Sequence, residues 1–131
     1  MSGEADELAR LREYLPRQTT LELAILVGSR ATGRSQAGSD WDIAIQWAAA
    51  LSLFDTLART ETLRRELATL LGVAEEHIDL IDLPRARLAM RAVVAEEGIP
   101  LKGEDSLAWN HFLARTWREL EDYQWEQTRA A

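Results

Sequence analysis

Two short segments hold residue types from which a phosphoryl-transfer site can be built. The first is Gly28-Ser29, directly after an apolar run that ends at Val27. Glycine lets the backbone turn with no side chain in the way, and Ser29 then opens a helical turn. Free N–H groups at such a start suit phosphate oxygens, and the hydroxyl adds one more hydrogen bond. Arg30 and Arg34 bring positive charge nearby. The second segment, Asp40-Trp41-Asp42, arrives ten residues after Ser29. Side chains two apart on a strand share a face, so both carboxylates stand side by side while Trp41 points into the core. Two rigid oxygen ligands at that spacing suit Mg²⁺, which completes its shell with water and substrate phosphates. A two-metal site would hold its ions about 3.5–4 Å apart and clamp the attacking and leaving oxygens. Taken singly, a glycine-serine pair is usually a turn and Asp-X-Asp is usually solvated surface. Placed between two strands, they point to one site.

The elements that must position these groups follow from periodicity. Leu8, Leu11 and Leu15 predict a helix over 4–15, closed by Pro16. Residues 21–27 predict a strand, with Leu21, Leu23, Ile25 and Val27 pointing one way. Gly28 to Ser39 is a polar, turn-forming stretch. Residues 41–47 alternate, with Trp41, Ile43, Ile45 and Trp47 on one face and Asp42, Ala44 and Gln46 on the other, Asp40 in register. One greasy and one polar face imply helices on a single side of the sheet. A helix is expected over 51–71, in one piece or broken near Thr60, with Leu53, Phe54 and Leu57 marking its first part and Gly72 its stop. A third strand covers 77–83, a helix 85–97, a short edge strand Ile99-Pro100-Leu101, and a last helix about 106–126 with Leu113, Trp117 and Leu120 on one stripe. The order is α-β-β-α-β-α-(β)-α: an α+β domain with a small mixed sheet, unlike a doubly wound Rossmann pattern.

Bulk composition narrows the function classes. The chain has 131 residues, which suits one domain over 1–131. Its formal charge of -7 argues against a nucleic-acid substrate, since neutralising phosphates supplies much of that affinity. The absence of cysteine excludes disulfides, zinc-thiolate sites and thiol nucleophiles. No apolar run approaches a membrane span and the N-terminus lacks a basic, then greasy leader, so a cytoplasmic location is expected.

The spacing Gly-Ser, ten residues, Asp-X-Asp resembles the signature of the DNA polymerase β-like nucleotidyltransferase superfamily. Chain size, the segment His77-Ile78-Asp79-Leu80-Ile81-Asp82-Leu83-Pro84-Arg85-Ala86, and the run from Arg91 to Leu101 resemble the minimal nucleotidyltransferases (MNT), in particular the MntA antitoxin type. The resemblance spans roughly residues 21–103. It implies a polymerase β-like fold, with Gly28, Ser29 and Arg30 binding ATP, and Asp40 and Asp42 ligating magnesium, two ions being expected. It also implies a third carboxylate. An Asp inside an apolar strand matches Ile78-Asp79-Leu80, a phase that puts Ile78 and Leu80 on the covered face. Asp82 is the alternative and needs the opposite phase, which would bury Asp79 at a cost of several kcal/mol if charged and unpaired. Asp79 would then help bind metal and accept the proton of the acceptor hydroxyl. In the MntA type the partner is a HEPN-domain toxin (HepT-like), neutralised by transfer of AMP to a tyrosine within a hetero-oligomer.

Two other functions compete. Small-molecule nucleotidyltransferases, such as those acting on aminoglycosides, resemble this core but usually add a helical substrate domain, and only about thirty residues follow the core here. A non-catalytic antitoxin acting by occlusion would have no need to keep Gly28-Ser29 and Asp40/Asp42. His77 and His111 read as structural or solvated. Trp41, Trp47 and Trp117 fit core positions, whereas Trp109 and Trp125 fall off the main stripe of the last helix, suited to anchoring a partner or to packing on the first helix.

Overall fold

The computed structural model describes residues 3–130. Helix α1 (Glu4–Tyr14) begins with Glu4, Asp6 and Glu7, whose charges complement the helix N-terminus, and a 3₁₀ turn, Leu15–Arg17, closes it. Strand β1 (Leu21–Val27) leads into the four-residue helix α2 (Ser29–Thr32), and β2 (Trp41–Trp47) follows. Helix α3 (Leu53–Leu71) starts at Ser52, whose hydroxyl accepts from the Asp55 N–H at 3.1 Å. It ends at Gly72, whose φ of 68° is the left-handed cap that glycine adopts freely. The expected break near Thr60 is absent. The Thr60 hydroxyl donates to the Thr56 carbonyl at 2.7 Å, the back-bond that lets threonine stay in a helix, and accepts from Trp47 Nε1 at 3.0 Å. Strand β3 (Ile78–Asp82), helix α4 (Leu88–Glu97), strand β4 (Ile99–Lys102) and helix α5 (Leu107–Ala130) complete the expected order.

The strands form one mixed sheet in the order β3-β2-β1-β4. β1 is antiparallel to both neighbours, while β3 runs parallel to β2. Pro100 sits on the edge strand, as its missing donor requires. The expectation of helices on one side is corrected. On one face, Ala24, Leu26, Trp41, Ile43 and Ile45 pack with Leu11 of α1 and Leu63 and Leu67 of α3. On the other, Leu23, Ile25, Val27 and Ala44 pack with Val94 of α4 and Trp109 and Phe112 of α5. The cause lies in β1, which is apolar at both parities. A bulge between Leu21 and Leu23 further moves Leu21 to the Ala24 side. Leu53, Phe54 and Leu57, which mark the first part of α3, are all exposed.

Helix α5 also corrects the expected stripe. Its buried residues are Trp109, Phe112 and Thr116, one residue behind Leu113, Trp117 and Leu120. Trp109 stacks on Phe112 with ring centroids 5.2 Å apart, and Trp117 faces outward. Arg91 of α4, buried, forks onto Glu119 of α5 at 2.9 and 3.1 Å, and Arg115 reaches the same carboxylate at 2.8 Å. These hydrogen bonds, with Arg91 the larger influence, hold the Glu119 carboxyl down from 4.5 to about 2. A depressed carboxyl stabilises the fold fully above its ordinary value and loses that contribution as pH falls toward the folded-state value. Glu119→Gln should therefore be less stable than the parent at pH 7, with the gap closing between pH 4.5 and 2. Denaturant melts across that window check it; a gap independent of pH would assign the loss to packing.

Candidate active site

The turn after β1 is built around Gly28, at φ 75° and ψ -160°. That combination is essentially restricted to glycine. A Cβ there would also overlap the Asp42 carboxylate. Backbone and acid thus approach more closely than any other residue type allows. β-pairing sets up this contact, since Val27 and Asp42 are partners across β1 and β2. The short helix α2 starts at Ser29, and the first N–H groups of a helix have no acceptor within it. Cradle and carboxylate therefore meet at the end of one antiparallel pair.

Parallel pairing of β2 with β3 supplies the third acid. Asp42 and Asp79 are direct partners in that ladder. Asp40 lies just before β2 rather than in it. Ile78 is buried against the α1/α3 side and Leu80 packs there too, so Asp79 takes the same face as Asp42. Asp82 takes the opposite parity and pairs with Arg85 at 3.6 Å. Burial first, then the charges of Asp79 and Asp40, push the Asp42 carboxyl up from its ordinary value. A site whose acids resist ionising together gains from a divalent cation among them, so this donor set fits magnesium. Among the described residues no group of three or more His, Asp or Glu side chains is arranged to hold a metal ion, so Asp40, Asp42 and Asp79 do not by themselves form a three-carboxylate site. Magnesium commonly binds through one or two carboxylates and takes its remaining oxygens from water and phosphate.

Two residues behave differently from expectation. The Arg30 side chain does not extend toward the carboxylates as a phosphate ligand. It crosses to the other face of the sheet, lies 4.1 Å over the Trp41 ring, and is 3.7 Å from Glu4. Its Nε and Nη2 both donate to the Ser39 carbonyl, at 3.2 and 2.9 Å. The guanidinium is thus a clamp from α2 to the residue before Asp40, and only the Arg30 backbone N–H remains at the cradle. His77, expected to be structural or solvated, lies with Nδ1 3.0 Å from Asp40 Oδ1. No local pattern marks that contact, because it depends on how β3 aligns with β2. His111 is exposed.

Asp40 and Asp79 stand in the open, the Asp40 side chain 54% exposed, while Asp42 is half-buried between them. A cleft of about 580 Å³ lies farther along the same side of the sheet, lined by residues including Gln46, Leu83 and Phe112, and it includes none of the three aspartates. Among the described residues no helix is long and apolar enough to cross a membrane.

Comparison with known proteins places this geometry among relatives. A family model described as polymerase beta, nucleotidyltransferase, matches residues 9–107. A chain of a crystal structure of a toxin–antitoxin with AMP-PNP is 29% identical, with a TM-score of 0.66 over 98% of this chain and 95% of that one. A chain of the toxin–antitoxin MntA-HepT is 28% identical, with a TM-score of 0.58 over 97% and 92%. A chain from the tri-AMPylated Shewanella oneidensis HEPN toxin in complex with MNT antitoxin is 25% identical, with a TM-score of 0.64 over 95% and 94%. No curated protein sequence matches the chain.

Proposed function

The chain belongs to the polymerase beta nucleotidyltransferase family, and from that premise we propose that it is an antitoxin that transfers AMP from ATP to a tyrosine hydroxyl of a HEPN-type toxin. The observation that carries this is the convergence at Gly28, where the turn that would cradle phosphates touches one of the carboxylates that would hold magnesium. The exposure of Asp40 and Asp79 supports a protein acceptor, since a bulky side chain on another subunit must reach them. Similarity to chains of toxin–antitoxin complexes, one of them containing an AMPylated toxin, supports the choice of partner.

In this reading the Ser29 hydroxyl and the N–H groups of Ser29 and Arg30 hold the triphosphate. Asp40, Asp42 and Asp79 hold two magnesium ions, which when bound neutralise phosphate charge and polarise the reacting oxygens. Asp79 takes the proton of the tyrosine hydroxyl as its oxygen attacks the α-phosphorus. A new oxygen–phosphorus bond forms in line with the breaking bond to the β-phosphate bridge, and pyrophosphate leaves with that electron pair. The protein contributes placement and charge compensation. A cytoplasmic site of action fits an ATP-consuming enzyme with an intracellular toxin target.

The decisive measurement is the intact mass of a HEPN-type toxin, purified with and without this protein. A gain of one adenylate, or a whole number of them, is expected. An unchanged mass within a tight complex would replace transfer with occlusion.

A further inference from the structure

We propose that His77 is a positioning residue that holds the Asp40 carboxylate ready for magnesium. The inference rests on Asp40 being a metal ligand. Asp42 lies within β2, paired with β1 on one side and β3 on the other, whereas Asp40 precedes β2 and no ladder hydrogen bond restrains it. What meets it is the imidazole, Nδ1 to Oδ1 at 3.0 Å.

The contact is built into the fold. Trp41 pairs with Ile78 and Asp42 with Asp79, so Asp40 and His77 each stand one position ahead of the ladder, on the face of the other acids. His77 ends a 3₁₀ turn, Glu75–His77, and its N–H donates to the Ala74 carbonyl at 3.0 Å. The next residue, Ile78, is buried. The imidazole is therefore anchored by a backbone secured on both sides.

The chemistry sets the direction of the bond. An ionised carboxylate can only accept, so Nδ1 carries the hydrogen. Oδ2 is then left to coordinate. Magnesium prefers oxygen ligands, so an imidazole here acts through the carboxylate. Hydrogen bonds that orient ligating groups from outside typically govern metal affinity or activity by 10–100-fold.

The test measures AMP-PNP binding to the full chain by calorimetry at graded magnesium, without any toxin. Wild type should bind in a magnesium-dependent way. His77→Ala should need about 10–100-fold more magnesium for half-maximal binding. His77→Asn, whose amide N–H can take the place of Nδ1–H, should stay close to wild type. Melting curves should be alike, since the His77 side chain is 44% exposed. An unchanged magnesium requirement in the alanine variant overturns the proposal. So does an asparagine variant as weak as alanine, which would make the imidazole itself the ligand. If wild type shows no magnesium-dependent binding, the assignment of Asp40 and Asp42 as metal ligands fails, and the role of His77 with it.

Discussion

Asp40→Asn combined with Asp42→Asn is expected to lower adenylate transfer by about 10³-fold or more, beyond the 10²–10³ that one electrostatic stabiliser is worth, and to leave the metal-free protein at least as stable as wild type. The two effects have one origin. Burial and neighbouring charge raise the Asp42 carboxyl, so the folded chain disfavours the charged form of this group. A raised carboxyl contributes stability below its ordinary value and loses it as pH rises through the folded-state value. Asparagine removes that penalty together with the charge on which magnesium depends. Labelled ATP with the toxin reads transfer, and thermal melts without metal read stability. Full labelling by the double variant would end the assignment of these residues. A melting temperature well below wild type would show that the carboxylates hold the fold together rather than strain it.

Gly28→Ala is expected to cost stability and most of the transfer activity. The backbone at φ 75° and ψ -160° costs a non-glycine residue about 1–3 kcal/mol. The added carbon would also press on the Asp42 carboxylate, and a misplacement of about 1 Å near a reacting centre can cost 10²-fold in rate. Gly33→Ala separates the two contributions. Gly33 also has positive φ, at 75°, but a Cβ there meets open space. It should lose some stability and retain transfer. Denaturant melts and single-turnover labelling of both variants check this, and equal activity losses would sink the claim that contact with Asp42 is what matters.

Local patterns made much of the fold legible. The alternation from Trp41 to Trp47 gave strand β2 its bounds and its buried side. Gly28, Gly72 and Pro100 each marked a backbone event that the structure contains. What local pattern could not supply was the meeting of distant strands. Asp42 and Asp79 become neighbours only through a parallel pairing whose partners are 37 residues apart, and the contact of His77 with Asp40 follows from the same alignment. The sheet's second cover was legible in principle. Ala24 and Leu26 are apolar, as are Leu23, Ile25 and Val27 of the other parity, and a strand apolar at both parities is covered twice. In α5, Leu113 and Trp117 carry more apolar surface than Thr116. Thr116 is nonetheless buried, because its position continues the Trp109–Phe112 face. The role of Arg30 was hidden for another reason: a cation beside a phosphate turn reads as a phosphate ligand until Trp41 is seen beneath it.

The clamp of Arg30 on Ser39 bears on how such chains diverge. Pairing of Val27 with Asp42 and the guanidinium together fasten the ends of the segment 28–40, while Gly33, Arg34, Gln36, Ala37 and Gly38 are exposed between them. The closure entropy of a flexible loop grows slowly, by about 0.6 kcal/mol per doubling of length. Extra residues inserted between 33 and 38 would bulge outward without parting the fastened ends. A homologue with a longer interval could retain the same chemistry, and a scan that insists on ten intervening residues would pass it over.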